Sequence, residues 1–335
     1  MPSLSSVLAC ASLARAVVVP SPDTFHEFTL NARYIPAAKI GSLAARGGQP
    51  LGLHTTPETT GSTLDAKSTR WNHTASSSAK LVDGATWKDH YVDGAGSGAS
   101  GTVYTDAVSV GGVSMTSQAV QPATEASNPG AAGYFQFPVS GIIGFAFDKR
   151  NIVKPTKQKT FFSNIKSNLK KPVFTADLKH AAGDGTFGFG FIDTALYTGD
   201  ITYTNVDSVT GSWTMNSTGY AIGTGDFVKT TVTGFVNTGS NVLTLPMDVY
   251  KAYTKAITGS TTDCTTKFPD FYFGLGSAKI KIAGEHLRDK QGTFCRLKVL
   301  DGGAKAIFGS PAMFSSLVIF EDDGKQPRIG WATSK

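Results

Sequence analysis

From about Lys80 onward the chain alternates apolar and polar positions in short runs, each broken by glycine or another turn residue, which is the pattern of strands joined by tight connections. The run from Val103 to Val110 alternates in this way and ends on Gly111-Gly112, as one arm of a hairpin does. Two stretches depart from the two-residue period. Phe161, Phe162, Ile165 and Leu169 recur at helical intervals and are closed by Lys171-Pro172, which predicts a short amphipathic helix over 160–169. A second helix is predicted from Met247 to Ile257, opened by Pro246. Helices are few, so the expected fold class is mostly β.

Composition agrees with that pattern. Glycine (37) and phenylalanine (21) are abundant, and 335 residues at 40% hydrophobic and 17% charged content suffice for one large domain or two lobes around a sizeable core. No apolar run approaches the roughly 18 residues a spanning helix needs, so no membrane partner is expected. The net charge of +6 comes from scattered lysines, apart from a denser stretch between Lys149 and Lys171. That stretch suits a solvated basic face better than a nucleic-acid site, and no nucleic-acid partner is expected.

The N-terminus changes the reading of the three cysteines. Leu4 to Leu13 is moderately apolar and leads to Ala14-Arg15-Ala16, a small-x-small pattern, so residues 1–16 read as a secretory signal peptide despite the lack of an early positive charge. Its removal takes Cys10 and leaves Cys264 and Cys295, an even pair bound for an oxidising compartment. One disulfide or two buried thiols would each satisfy that count. Sequons at Asn72 and Asn216 agree with an extracellular, glycosylated product. Residues 17–52, poor in strand pattern and rich in Ala, Arg and Gly, read as a pro-segment or linker.

An internal repeat follows. Asp65-Ala66-Lys67-Ser68 and Asn237-Thr238-Gly239-Ser240 lie at similar distances before two apolar-apolar-Gly elements, Ile142-Ile143-Gly144 and Ile307-Phe308-Gly309. Two diverged copies of one β-rich lobe, placed at 53–200 and 201–335, would produce this and leave a cleft between them.

Phe235-Val236-Asn237-Thr238-Gly239-Ser240 followed by Val242-Leu243-Thr244-Leu245-Pro246 resembles the second active-site loop of the pepsin-like aspartic endopeptidases, in their secreted fungal aspergillopepsin and penicillopepsin group. Tyr91-Val92-Asp93-Gly94 with Gly98-Ala99-Ser100-Gly101 resembles that group's flap hairpin. Gly141 to Phe147, Thr160-Phe161-Phe162, Leu178-Lys179-His180, Phe189 to Asp193, Tyr197-Thr198-Gly199, Cys264 with Phe268 to Phe271, Cys295, Ile307-Phe308-Gly309 and Ile329 to Ala332 follow the family in order. The likeness covers residues 76–335, and Phe28 to Arg33 resembles the family pro-segment.

The resemblance implies a bilobal β fold with a central cleft and two facing Asp-Thr-Gly turns. Two carboxyls so close share a proton: one activates water while the other donates to the scissile carbonyl. It also implies substrate-binding roles for Tyr91, Asp93 and Gly94 at the flap and for Gly239 and Ser240 at the second turn. The partner would be an extended peptide, the chain a monomer, and no cofactor or metal is called for. Read from residues alone, Tyr91 is equally a hairpin aromatic packing on its own lobe, and Asp93 an ordinary turn aspartate.

Both active-site turns depart from the family. Asn237 stands where the second aspartate belongs, and an amide neither takes nor gives a proton near neutral or acid pH. The first strand and turn are eroded, so the first lobe is expected to be truncated. Asp65 can be laid on the first catalytic position only with gaps, with Lys67 where the turn glycine belongs; the other reading is a solvated turn aspartate. The expected function is therefore that of a secreted pepsin-like homologue without endopeptidase chemistry, whose cleft binds extended peptide. Two alternatives stand beside it: a working endopeptidase preferring large apolar residues, misrepresented by a faulty gene model near residue 65, and a scaffold recruited to a non-proteolytic biosynthetic step.

Other chemistries find no anchor. The six histidines show no paired spacing for zinc, and no Gly-x-Ser-x-Gly elbow is present. Gly96-x-Gly98-x-x-Gly101 matches a dinucleotide fingerprint in letters only, because it lies between strands and opens no helix.

Overall fold

The computed structural model describes residues 28–33, 53–55, 71, 73–90, 98–110, 113–127, 141–179 and 184–335. The protein is mostly β, as its alternating pattern predicts. Among the described residues three large sheets carry the fold, together with a small two-stranded ribbon, Arg288–Gln291 with Phe294–Leu297.

The first-half sheet is a meander of Lys80–His90, Gly98–Val110 and Val113–Pro122, continued through Leu53–Thr55 to Gly141–Ile142, with Glu125–Ser127 paired to the second strand. The hairpin arm read from Val103 to Val110 is thus part of a longer strand. The loss expected in the first lobe concerns the stretch between Thr55 and Trp71, which lies outside the described residues; the six sheet strands around it are in place. The second-half sheet has seven strands in the order Ala278–Ile282, Phe271–Leu275, Thr214–Ile222, Val228–Val236, Ala306–Phe308, Leu243–Leu245 and Val299–Asp301.

A third sheet draws on both halves. Its order is Phe28–Arg33, Asp184–Phe189, Val173–Leu178, Ser316–Glu321, Arg328–Ser334 and Tyr197–Asn205. The segment that resembles a pro-segment is therefore an edge strand, in register from Phe28↔Phe189 to Arg33↔Asp184. The lobe boundary expected between residues 200 and 201 falls inside the last of these strands.

The core explains why the halves hold together. Phe174 stacks on Phe320 with centroids 4.5 Å apart and lies edge-on to Phe162 and Trp213. The Trp213 indole N–H donates to the Phe145 carbonyl at 2.9 Å, and Trp331 packs edge-on against Phe273. Each such ring contributes roughly 1.5 to 3 kcal/mol by leaving water. Both predicted helices form. Phe161–Ile165 is capped by Thr160, whose hydroxyl accepts the Ser163 N–H at 3.2 Å, and passes into a tighter turn at Lys166–Asn168. Met247–Ala256 buries Val249 and Tyr253.

Cys264 and Cys295 are disulfide-bonded, with Cα atoms 4.9 Å apart, which resolves the two readings of that pair.

Candidate active site

The second turn is held by its own backbone and by the strand beside it. Val228–Val236 runs parallel to Ala306–Phe308 and ends at Asn237, whose N–H donates to the Phe308 carbonyl at 3.0 Å. The side-chain oxygen of Asn237 accepts the Gly239 N–H at 3.0 Å, and its carbonyl accepts the Ser240 N–H at 3.2 Å. This closes a tight loop, with Asn237, Thr238 and Gly239 half-buried and Ser240 buried.

Below the loop the packing is close. The Ser240 hydroxyl donates to the Val242 carbonyl at 3.1 Å, and the Ser240 carbonyl accepts the Ser310 N–H at 2.6 Å. Gly309 passes so near that a Cβ there would press on the Val242 carbonyl oxygen and lie 2.7 Å from that of Ser240. The repeat Ile307-Phe308-Gly309 thus has a local cause: the glycine admits the turn, and Phe308 supplies its acceptor. Ser310, which sequence reading missed, is buried beneath it; no letter pattern distinguished it from any other serine. The hydroxyls of Ser310 and Thr244 are buried without a hydrogen-bond partner.

Lys298 adjoins this region and also escaped the sequence reading. Its carbonyl accepts the Leu243 N–H at 2.9 Å, and burial, opposed by the Asp289 charge, holds its ammonium below the usual lysine range.

At the other candidate element, Lys80–His90 and Gly98–Val110 pair to the end, His90 facing Gly98, so the connection between them carries Tyr91, Asp93 and Gly94. Those three residues, with Asp65 and Asn72, lie outside the described residues. Next to that connection Asp89 is buried, and Arg150, whose pKa is lowered by burial, feels the opposing Asp89 charge. Asn216 is exposed on its strand and accepts the Thr233 hydroxyl at 2.7 Å. Among the described residues no group of three or more His, Cys, Asp or Glu is placed to hold a metal ion, and no helix is long and apolar enough to cross a membrane.

The sequence model of the eukaryotic aspartyl protease family matches residues 55–334. Endothiapepsin of Cryphonectria parasitica is 38% identical over 327 residues, covering 91% of this chain and 76% of its own. Penicillopepsin-3 of Penicillium janthinellum is 38% identical over 78% of this chain and 68% of its own, as is aspergillopepsin-1 of Aspergillus pseudoglaucus. The fold is shared with the crystal structure of an aspartic proteinase from Irpex lacteus, at a TM-score of 0.68 and 18% identity over 86% of this chain and 88% of that one. The chain belongs to the pepsin-like eukaryotic aspartyl proteases.

Proposed function

We propose that this chain is a secreted, monomeric member of its family that has given up peptide hydrolysis and keeps a cleft for extended peptide. The lobes are taken as 53–200 and 201–335, with 1–16 as the signal peptide and 17–52 as pro-segment-like. Tyr91, Asp93, Gly94 and Gly239 line the peptide path; Ser240, expected from the sequence to do the same, is buried and supports it from beneath, and Asn72 and Asn216 carry glycans.

The observation behind this reading is Asn237. Its amide occupies the acidic position of the turn and its oxygen is engaged by the Gly239 N–H. An amide can accept and donate hydrogen bonds, so it can hold a bound carbonyl or N–H, but it cannot cycle a proton. Losing one partner of a general acid–base pair costs roughly 100- to 10,000-fold in rate. The packing beneath the turn does not depend on that chemistry, so a peptide-holding surface survives the loss.

The test is direct. Purified protein incubated with denatured casein or haemoglobin at acid pH leaves the substrate intact, while an immobilised statine-type peptide retains the protein. Digestion inhibited by that same peptide overturns the reading.

A further inference from the structure

Within Leu243–Leu245, Thr244 pairs with Leu300 in parallel and with Ile307 in antiparallel register, and Leu243 likewise pairs with Val299 and Phe308. In the first half His54 pairs with Gln121 in parallel and Ile142 in antiparallel register, and Thr55 with Pro122 and Gly141, so the antiparallel partner's distance from the repeated glycine decides which residues correspond. Ile142 and Ile307 each stand two residues before the glycine of the repeated apolar-apolar-Gly element, Gly144 and Gly309. Neighbours agree as well: Leu53 faces Val120 as Leu243 faces Val299, and Thr55 faces Pro122 as Leu245 faces Asp301. Three strands therefore repeat with one register, and His54 is the counterpart of Thr244.

That equivalence orders the chain. In the second half the turn bearing Asn237 comes before the Leu243–Leu245 strand. The matching turn of the first half must then come before Leu53, whereas Asp65 comes after Thr55. The step from Thr244 back to Asn237, applied to His54, reaches Gly47, in the stretch Gly47-Gly48-Gln49-Pro50. No aspartate or glutamate occurs anywhere from Phe28 to Pro57, so a slip of several positions would not bring a carboxyl into place.

We propose that the first half supplies no acid opposite Asn237, that position 47 stands where the first catalytic aspartate would, and that Asp65 lies outside the site. This rests on the reading of lost hydrolysis and deepens it: both acids of the pair are gone, and the first lobe begins ahead of Gly47 rather than at residue 53. The two facing turns then carry no group that titrates at acid pH, and what they offer an extended peptide is hydrogen bonds to its neutral backbone.

Cysteine pairs test the assignment without relying on activity. In a Cys10→Ser background, Asn237→Cys is combined with Gly47→Cys in one variant and with Asp65→Cys in another. Each is treated with a short bismaleimide and mapped by mass spectrometry, with the Cys264–Cys295 bond as the check on folding. A 47–237 link without a 65–237 link is the expected result. A 65–237 link, or absence of the 47–237 link in folded protein, overturns the assignment. Should the cysteine variants not fold, Asn237→Asp with Asp65 untouched is the second measurement: no casein digestion is expected, and digestion at acid pH overturns the assignment. Casein digestion by the unaltered chain instead sinks the reading beneath it, so the two failures are distinguishable.

Discussion

Single side chains decide more here than their burial alone suggests. The Asp106 carboxylate accepts the hydroxyls of Ser76 (2.9 Å) and Ser78 (2.5 Å), the Ala107 N–H (2.8 Å) and the Trp71 indole N–H (3.2 Å). Burial pushes its pKa up, but those four hydrogen bonds outweigh it and hold the carboxyl below its usual 3.8. A depressed folded-state value means that the unfolded chain takes up the proton first. The stability from Asp106 is therefore present in full above the ordinary aspartate range and is lost as pH falls through the folded-state value. Asp106→Ala should cost about 2 to 3 kcal/mol at neutral pH. The measurement is urea unfolding at several pH values, and the difference from the unaltered chain should shrink on the acid side. Gly309→Ala is the second residue-scale prediction. Its Cβ has no room between Val242 and Ser240, so a loss of roughly 1 to 3 kcal/mol is expected in the same assay.

Among elements, the helices and strands were legible in the sequence because their periods differ. The spacing of Phe161, Phe162 and Ile165 buries all three residues, and Pro246 opens the helix that begins at Met247. What could not be read was the pairing that fixes which strand is which. The letters around Asp65 imitate those around Asn237, yet strand register ties the second-turn strand to Leu53–Thr55, a relation that exists only between chains of hydrogen bonds. The disulfide was half legible: the count offered a pair, and the 4.9 Å approach of the two Cα atoms supplied the bond. It closes a separation of 31 residues, and on the chain-entropy model such a loop contributes roughly 3 to 4 kcal/mol. Cys264→Ser with Cys295→Ser should lower the thermal midpoint by several degrees, read by circular dichroism; an unchanged midpoint would show that the bond adds nothing. Thr160→Ala, which removes the cap of the Phe161–Ile165 helix, should cost about 1 kcal/mol in the same measurement.

At the scale of the whole molecule, the sheet shared between the halves governs what can be removed. Arg328–Ser334 is flanked by Ser316–Glu321 on one side and Tyr197–Asn205 on the other, and it carries the fully buried Trp331. Truncation before Arg328 should therefore abolish soluble protein rather than trim a tail, as judged by expression yield and gel filtration. The same sheet joins Val173–Leu178 to Ser316–Glu321, partners separated by most of the second half of the chain. Local hairpins such as Thr214–Ile222 with Val228–Val236 can zip as they emerge from the ribosome, but this sheet cannot close until Ser316–Glu321 and Arg328–Ser334 have been translated. Until then the nascent chain holds Val173–Leu178 without its partner Ser316–Glu321, so that interval is when a chaperone has most to shield.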